Sequence, residues 1–244
     1  TNLSESFKFS DSPGFDAYRP PFVPVVLSAV FLWVSEPGNV LARAVIALFG
    51  ALAAPLLYLL ARQLIPHSRS LPLAGALAWS LYPSAIFYSI ILQSESAGAV
   101  LVLASTLSLV LGLKTRLTRW FVITGLLWGL LTLARTNYLM MPILILLLTV
   151  AANRWLNSDR KSLLPSTRHV TISVAVFVLI IGGWTVRNYI ATDGFIPTTS
   201  HGGWVFAISN ANLDNEAVRA GGFQKTDAIK DEIWAEAEAD RNAA

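Results

Sequence analysis

The 244-residue sequence predicts an all-α fold: a polytopic transmembrane helical bundle of about six spans plus one short juxtamembrane helix. Three observations predict it. Hydrophobic residues make up 54% of the chain against 14% charged, with a mean hydropathy of +0.56, a balance that is hard to keep in solution as a water-soluble domain. Apolar runs near span length recur along most of the chain. Lys and Arg gather in alternate connections between those runs. The same numbers exclude other classes. A formal charge of +3, with the basic residues massed on no single face or tail, points to no nucleic acid partner. Cys is absent, which removes disulfides and cysteine metal sites.

Taken in order, residues 1–39 read as an external loop leading into a juxtamembrane helix. The apolar run at residues 22–34 covers only about 20 Å at 1.5 Å per residue, too little for a bilayer core of roughly 30 Å. Pro20, Pro21 and Pro24 shape its start and Trp33 lies near its end, as in an interfacial or re-entrant helix. Residues 40–187 form the bundle, with spans expected at 40–61, 71–92, 96–113, 120–134, 138–152 and 170–186. The fourth and fifth are short, and Arg135, Thr136 and Asn137 separate them, so they read as a helical hairpin rather than one helix interrupted by an arginine. Residues 188–244 change character. Turn-like clusters (TDGFIPTTSHGGW) lead to a tail rich in Ala, Glu, Asp and Lys, with Ile229, Ile233 and Trp234 at helical spacing. This is an external loop followed by a truncated amphipathic helix.

Orientation follows from the charges. Arg62 and Arg69 fall between the first two spans, Lys114, Arg116 and Arg119 between the third and fourth, and Arg154, Arg160, Lys161 and Arg168 between the fifth and sixth. Those connections face the cytoplasm by the positive-inside rule. Trp120 and Trp155 then sit at the inner boundary and Trp184 at the outer one, as aromatic belts require. Glu95, Arg135 and Arg187 converge on the outer side. Glu95 lies in LQSESAG, where it interrupts an apolar run; a carboxylate in hydrocarbon costs several kcal/mol, so it is either at the surface or functional.

Four stretches carry candidate chemistry: YRPPFVP from Tyr18, YPSAIFYSIILQSES from Tyr82, LLTLARTNYLMMP ending at Pro142, and GGWTVRNYIATDGFIPTTSHGGWVFAISN from Gly182. In this order and spacing they resemble the GT-C superfamily of polytopic glycosyltransferases, in particular the bacterial branch related to protein O-mannosyltransferases and the lipid A aminoarabinose transferase. A cation followed by two prolines is matched by Arg19, Pro20 and Pro21, and an apolar helix motif by Ala42, Arg43, Phe49, Gly50, Tyr58 and Arg62. A turn ending in an acid is matched by Pro83, Tyr88, Ser89, Ser94 and Glu95. A glycine-spaced helix ending in arginine is matched by Gly125, Gly129, Leu133 and Arg135. The exit motif is matched by Trp184, Arg187, Asn188, Tyr189, Phe195, Pro197, Gly202, Gly203 and Asn210.

The resemblance implies an enzyme that takes a sugar, a hexosyl or pentosyl group, from a polyprenyl-phosphate carrier and places it on a lipid, glycan or protein acceptor. It implies a multi-pass protein of a bacterial plasma (inner) membrane, surrounded by membrane lipids, with its active side extracytoplasmic. Arg19 matches the position that contacts the carrier phosphate, a role suited to a bidentate guanidinium. Glu95 matches an acidic position lining the cavity and is the catalytic candidate in this chain. Arg135, Arg187, Asn188 and His201 are the further substrate-binding candidates. The family's principal catalytic Asp belongs to the loop after a first transmembrane helix. Neither is found here, so the chain is expected to be a fragment lacking that helix and the C-terminal part, with the Asp upstream of Thr1 and no activity of its own. Asp11 and Asp16 lie outside the expected local pattern.

Blander readings stand beside these. Glu95 in SESAG can begin a helix with its carboxylate at the positive dipole end. Arg19 can anchor to anionic lipid, and arginines such as Arg135 and Arg187 are common at helix ends without a ligand. His201 before Gly202 and Gly203 suits either a phosphate-cradling or an ordinary external loop. No cofactor is indicated. The three His are scattered, with His67 and His169 on the inner side, and the need for a divalent metal stays open. The alternative function is a transporter or channel-like protein binding a small anion at the outer face.

Overall fold

A computed structural model describes residue 17 and residues 20–34, 39–155 and 166–199. All of these belong to the first of two compact units, Thr1–Ser200; the expected amphipathic tail, like His201, falls outside the described residues.

Helix α1, Phe22–Phe31, starts directly after Pro21 and is ten residues long, about 15 Å. It is the short juxtamembrane helix expected from the sequence, and Trp33 just beyond it is exposed. Helix α2 spans Asn39–Leu64 and runs unbroken through Pro55. The stretch expected as one span at 71–92 is instead two helices, α3 (Ser70–Ser80) and α4 (Pro83–Ile90), bent by 53°. The cause is Pro83: it occupies the first turn of α4, and Tyr82 before it is extended, with ψ 116°, because the proline ring disfavours helical geometry at the preceding residue. Helix α5, Glu95–Thr115, ends on Arg116 in the left-handed region (φ 55°), which reverses the chain into α6, Thr118–Ala134. Arg135 is extended, a 3-10 turn covers Thr136–Tyr138, and α7 (Met141–Trp155) and α8 (Thr167–Thr192) complete the described chain.

By length and composition, Val40–Leu64, Glu95–Thr115 and Thr167–Thr192 can each cross a membrane, and the bent α3–α4 pair is apolar and long enough to make a fourth crossing if its two helices act as one span. Helix α6, with 17 residues, and α7, with 15, are apolar but reach only about 25 and 22 Å, because the break at Arg135 shortens both. The six expected spans thus become three full-length helices, one bent pair and two short helices.

Close packing relies on small residues rather than on a large apolar core, as helices do when lipid surrounds them. The buried faces of α5 and α6 carry Ser96, Ala97, Gly98, Ser105, Ser108 and Gly112 against Thr124, Gly125, Gly129 and Thr132. The two helices run antiparallel: Gly112 meets Phe121, the Ser108 and Thr124 hydroxyls are 2.8 Å apart, Leu101 packs on Leu131 and Ala134, and Gly98 lies under Arg135. Helix α8 runs parallel to α6. A side chain at Gly125 would run into the Ser173 carbonyl, Gly129 faces Ile180, and the Ser173 hydroxyl donates to the Phe121 carbonyl at 2.7 Å. Trp128, Phe177 and Ile181 form a second cluster, against which Met141 and Ile145 of α7 pack. Facing outward, Leu144, Leu147, Val178, Leu179, Val186 and Ile190 are exposed, an apolar girdle suited to acyl chains.

These pairings fix which helix ends lie together. The Lys114 ammonium, in the last turn of α5, donates to the side-chain and backbone oxygens of Gln63 near the end of α2. His169, in the first turn of α8, stacks on Phe121 at the start of α6 with ring centroids 4.3 Å apart. One end of the bundle therefore gathers Arg62, Lys114, Arg119 and Arg168, and the other gathers the start of α5 with the C-terminal ends of α6 and α8.

Candidate active site

Glu95 is the first residue of α5, placed there by a short link that leaves α4 extended at Ile91 and bends before Ser94, and by the Ser96 hydroxyl, which donates to the Tyr88 carbonyl of α4 at 2.9 Å. Its carboxylate sits in the first turn, where the free N–H groups and the helix dipole favour negative charge. Arg135 approaches from the opposite direction. As α6 ends, its backbone turns extended (φ −146°, ψ 106°) while its N–H still caps Leu131, and this carries the side chain across the start of α5.

The two meet in an ion pair, Arg135 Nη1 to Glu95 Oε1, at 3.2 Å. The side chains are 33% and 32% exposed, so both charges are largely removed from water and each depends on the other. The contact is single. Glu95 Oε2 is buried and has no hydrogen-bond partner among the described residues. The pair borders a cavity of about 590 Å³, lined by Glu95, Arg135, Asn137 and Tyr138 together with Gly98, Val102 and Leu103 of α5, Leu57 of α2 and Trp79 of α3. From Glu95 to Leu103 is about 12 Å along the helix, so the cavity has a polar group at the start of α5 and mostly apolar lining along it.

The remaining expected site residues divide. Arg19 and His201 lie outside the described residues, though α1, which begins three residues after Arg19, packs Phe22 against the Leu101, Leu131 and Ala134 cluster, next to Arg135. Arg187 and Asn188 do not line the cavity. They lie near the C-terminal end of α8, on the same end of the bundle. Asn188 is fully buried, and its Nδ2 donates to the Ile196 and Thr198 carbonyls at 2.9 and 3.1 Å, folding residues 194–199 back onto the helix. Trp184 and Thr185 support the same segment through Thr198 and Pro197. Asn188 Oδ1 accepts from Arg187 Nη1 at 3.1 Å, and the Arg187 guanidinium lies 4.9 Å from the centre of the Trp184 ring. Arg187 is thus held against a rigid corner, while Arg135 is held against an acid.

Of the ten lining residues only Glu95 and Arg135 were sequence candidates; of the other eight, Trp79, Asn137 and Tyr138 are the ones whose side chains carry polar groups. The signal for the last two was visible, since TNY follows Arg135 and breaks the apolar run. Trp79 sits in an unbroken apolar stretch and gave none. Among the described residues no three His, Asp or Glu side chains come together as a metal cluster.

A family model described as dolichyl-phosphate-mannose-protein mannosyltransferase matches residues 18–182. Searches of curated proteins and of solved structures return no match. The matched stretch includes Arg19, Glu95 and Arg135 and stops before Arg187, Asn188 and His201. It covers well over half of the 244 residues and coincides with the helical bundle that carries the acid–arginine pair and its cavity, and so the chain belongs to the dolichyl-phosphate-mannose-protein mannosyltransferase family of GT-C-type membrane glycosyltransferases.

Proposed function

We propose that the protein transfers a sugar from a polyprenyl-phosphate carrier to an acceptor hydroxyl at the outer face of a bacterial plasma membrane, with inversion at the anomeric carbon. The acceptor oxygen attacks the anomeric carbon, the bond from that carbon to the phosphate oxygen breaks, and polyprenyl phosphate leaves with the electron pair. The hydroxyl proton passes to a carboxylate base. The observation that carries this reading is the Glu95–Arg135 pair lining a mostly apolar cavity, inside the family-matched region. Charged groups beside apolar lining suit a lipid-linked substrate, and partial burial strengthens the charge interactions made there.

In this reading Arg19 grips the carrier phosphate, and Glu95 orients the reacting sugar or acceptor through the carboxylate that Arg135 keeps in place. Arg187, braced by Trp184 and Asn188, adds positive potential on the same end of the bundle, and His201 belongs to the loop beyond it. The acceptor is a lipid, glycan or protein.

The test uses the full-length protein in membranes supplied with a radiolabelled polyprenyl-phosphate sugar. Transfer is expected in wild type and lost in Arg19→Ala, with the amount of inserted protein unchanged. Transfer from a nucleotide sugar but not from the lipid-linked donor would reject the donor class, and undiminished transfer by Arg19→Ala would remove Arg19 from the site.

A further inference from the structure

Arg135 can serve the reaction in two ways: by touching the donor, or by acting only through Glu95. The geometry favours the second. One nitrogen of the guanidinium, Nη1, is committed to Glu95 Oε1 at 3.2 Å, and the aliphatic stem lies over Gly98, one turn into α5. A Cβ built on Gly98 would stand 2.8 Å from Arg135 Cδ, closer than such atoms pack, and in ordinary contact with Cγ at 3.5 Å. Only a residue without a side chain lets the stem lie flat there. Gly98 is itself buried between α5 and α6, and the same turn of α5 carries Glu95, so the seat and the carboxylate move as one rigid piece. Arg135 also leaves α6 at a fixed angle, because its own N–H is tied to Leu131 and Ala134 before it is buried. Seat, launch angle and ion pair specify one position for the Glu95 carboxylate.

We infer that Gly98 and Arg135 are positioning residues: Gly98 seats the Arg135 stem, and Arg135 acts on sugar transfer by holding Glu95 in place, not by gripping the donor. This rests on the glycosyltransferase reading above. Because Glu95 Oε2 has no hydrogen-bond partner among the described residues, the Arg135 contact is the polar restraint that those residues place on the carboxylate. A displacement of about 1 Å at a reacting group can cost on the order of 100-fold in rate.

Gly98→Ala is the incisive variant, because the atom it displaces belongs to a flexible side chain and the helices need not separate. Gly75→Ala is its control, since a Cβ there meets nothing within 4 Å. In the full-length protein with a polyprenyl-phosphate sugar donor, Gly98→Ala is expected to lose roughly 10- to 100-fold in kcat with the donor KM within about twofold of wild type, while Gly75→Ala stays at wild-type values. On a Glu95→Gln background, adding Gly98→Ala or Arg135→Gln is expected to cost nothing more, because residues acting through one group are not additive. Effects that multiply, or a donor KM that rises with kcat preserved, would assign Arg135 to the donor and overturn the inference.

A second measurement needs no turnover. A membrane-permeant carbodiimide, followed by mass spectrometry, reads how well Glu95 is held. Modification is expected to rise several-fold in Gly98→Ala and Arg135→Gln and not in Gly75→Ala; equal labelling in all of them would sink the seating argument. Absence of transfer by wild type would reject the proposed function, and the labelling arm would still decide whether Gly98 and Arg135 position the acid.

Discussion

At one end of the bundle Lys114 reaches from the last turn of α5 to the carbonyl oxygens of Gln63 on α2; at the other, Arg135 reaches from the end of α6 to the carboxylate that opens α5. Both contacts tie a cation to a neighbouring helix end. Lys114 is exposed, bonds to neutral oxygens and keeps company with Arg62, Arg119 and Arg168, so it can exchange its partners for water or lipid phosphate at little cost. Arg135 is two-thirds buried, is paired with an opposite charge, and lines a cavity. The number of charges does not separate an anchor from a site. What separates them is whether the charge is withdrawn from solvent against a single, geometrically fixed partner, since only such an arrangement is costly to disturb.

The comparison assigns the two ends to opposite sides of a membrane, and this carries its largest test, an all-or-none readout. The chain has no Cys, so single cysteines report without background from it. Gln93→Cys, beside the acid–arginine end, is expected to react with a membrane-impermeant thiol reagent on intact cells, and Thr115→Cys, beside Lys114, only after the membrane is opened. The reverse pattern would place Glu95 on the cytoplasmic side and break the assignment made from basic residues.

Much of that contrast was legible in the residues. Alternating Lys and Arg clusters between apolar runs, with parity counted along the chain, put Glu95 and Arg135 on one side, and the pairing of helix ends places them together. Glu95 as the first residue of a helix was visible in SESAG. The bend in the second crossing was harder. Two prolines lie within apolar stretches of similar character, yet α2 continues through Pro55 while the chain breaks before Pro83. In lipid a proline kink survives only where neighbours re-satisfy the freed backbone groups, and neighbours are a property of the fold rather than of the local sequence. The seat under Arg135 was illegible for the same reason. Gly98 matches no motif, and its meaning comes from a residue 37 positions away that passes above it.

A smaller effect sharpens the comparison in the middle of the bundle, which must be rigid if its two ends are to behave differently. Gly125→Ala drives a methyl into the Ser173 carbonyl, a backbone atom that cannot swing aside, so α6 and α8 must part and the Ser173 bond to Phe121 is strained. The expected loss is about 1–3 kcal/mol, seen as a lower thermal unfolding midpoint in detergent. Gly182→Ala, where a Cβ meets nothing within 4 Å, is expected to leave the midpoint unchanged. Equal midpoints for the two variants would mean that α6 and α8 do not approach as closely as described.

The smallest effect is expected at Lys114, and its smallness is what the contrast demands. Lys114→Ala removes two hydrogen bonds to Gln63, but the contact is exposed and water replaces the lost donor. Exposed charge contacts contribute between about zero and 1 kcal/mol, so the midpoint should move by no more than the measurement's scatter allows. Orientation should also hold, because Arg116 and Arg119 remain in the same connection and the positive-inside bias counts the cluster, not the residue. Sugar transfer should stay at the wild-type rate. If Lys114→Ala instead lowered kcat as far as Gly98→Ala, the two ends would be coupled through α5, which joins them, and the acid–arginine pair could no longer be treated as a local device.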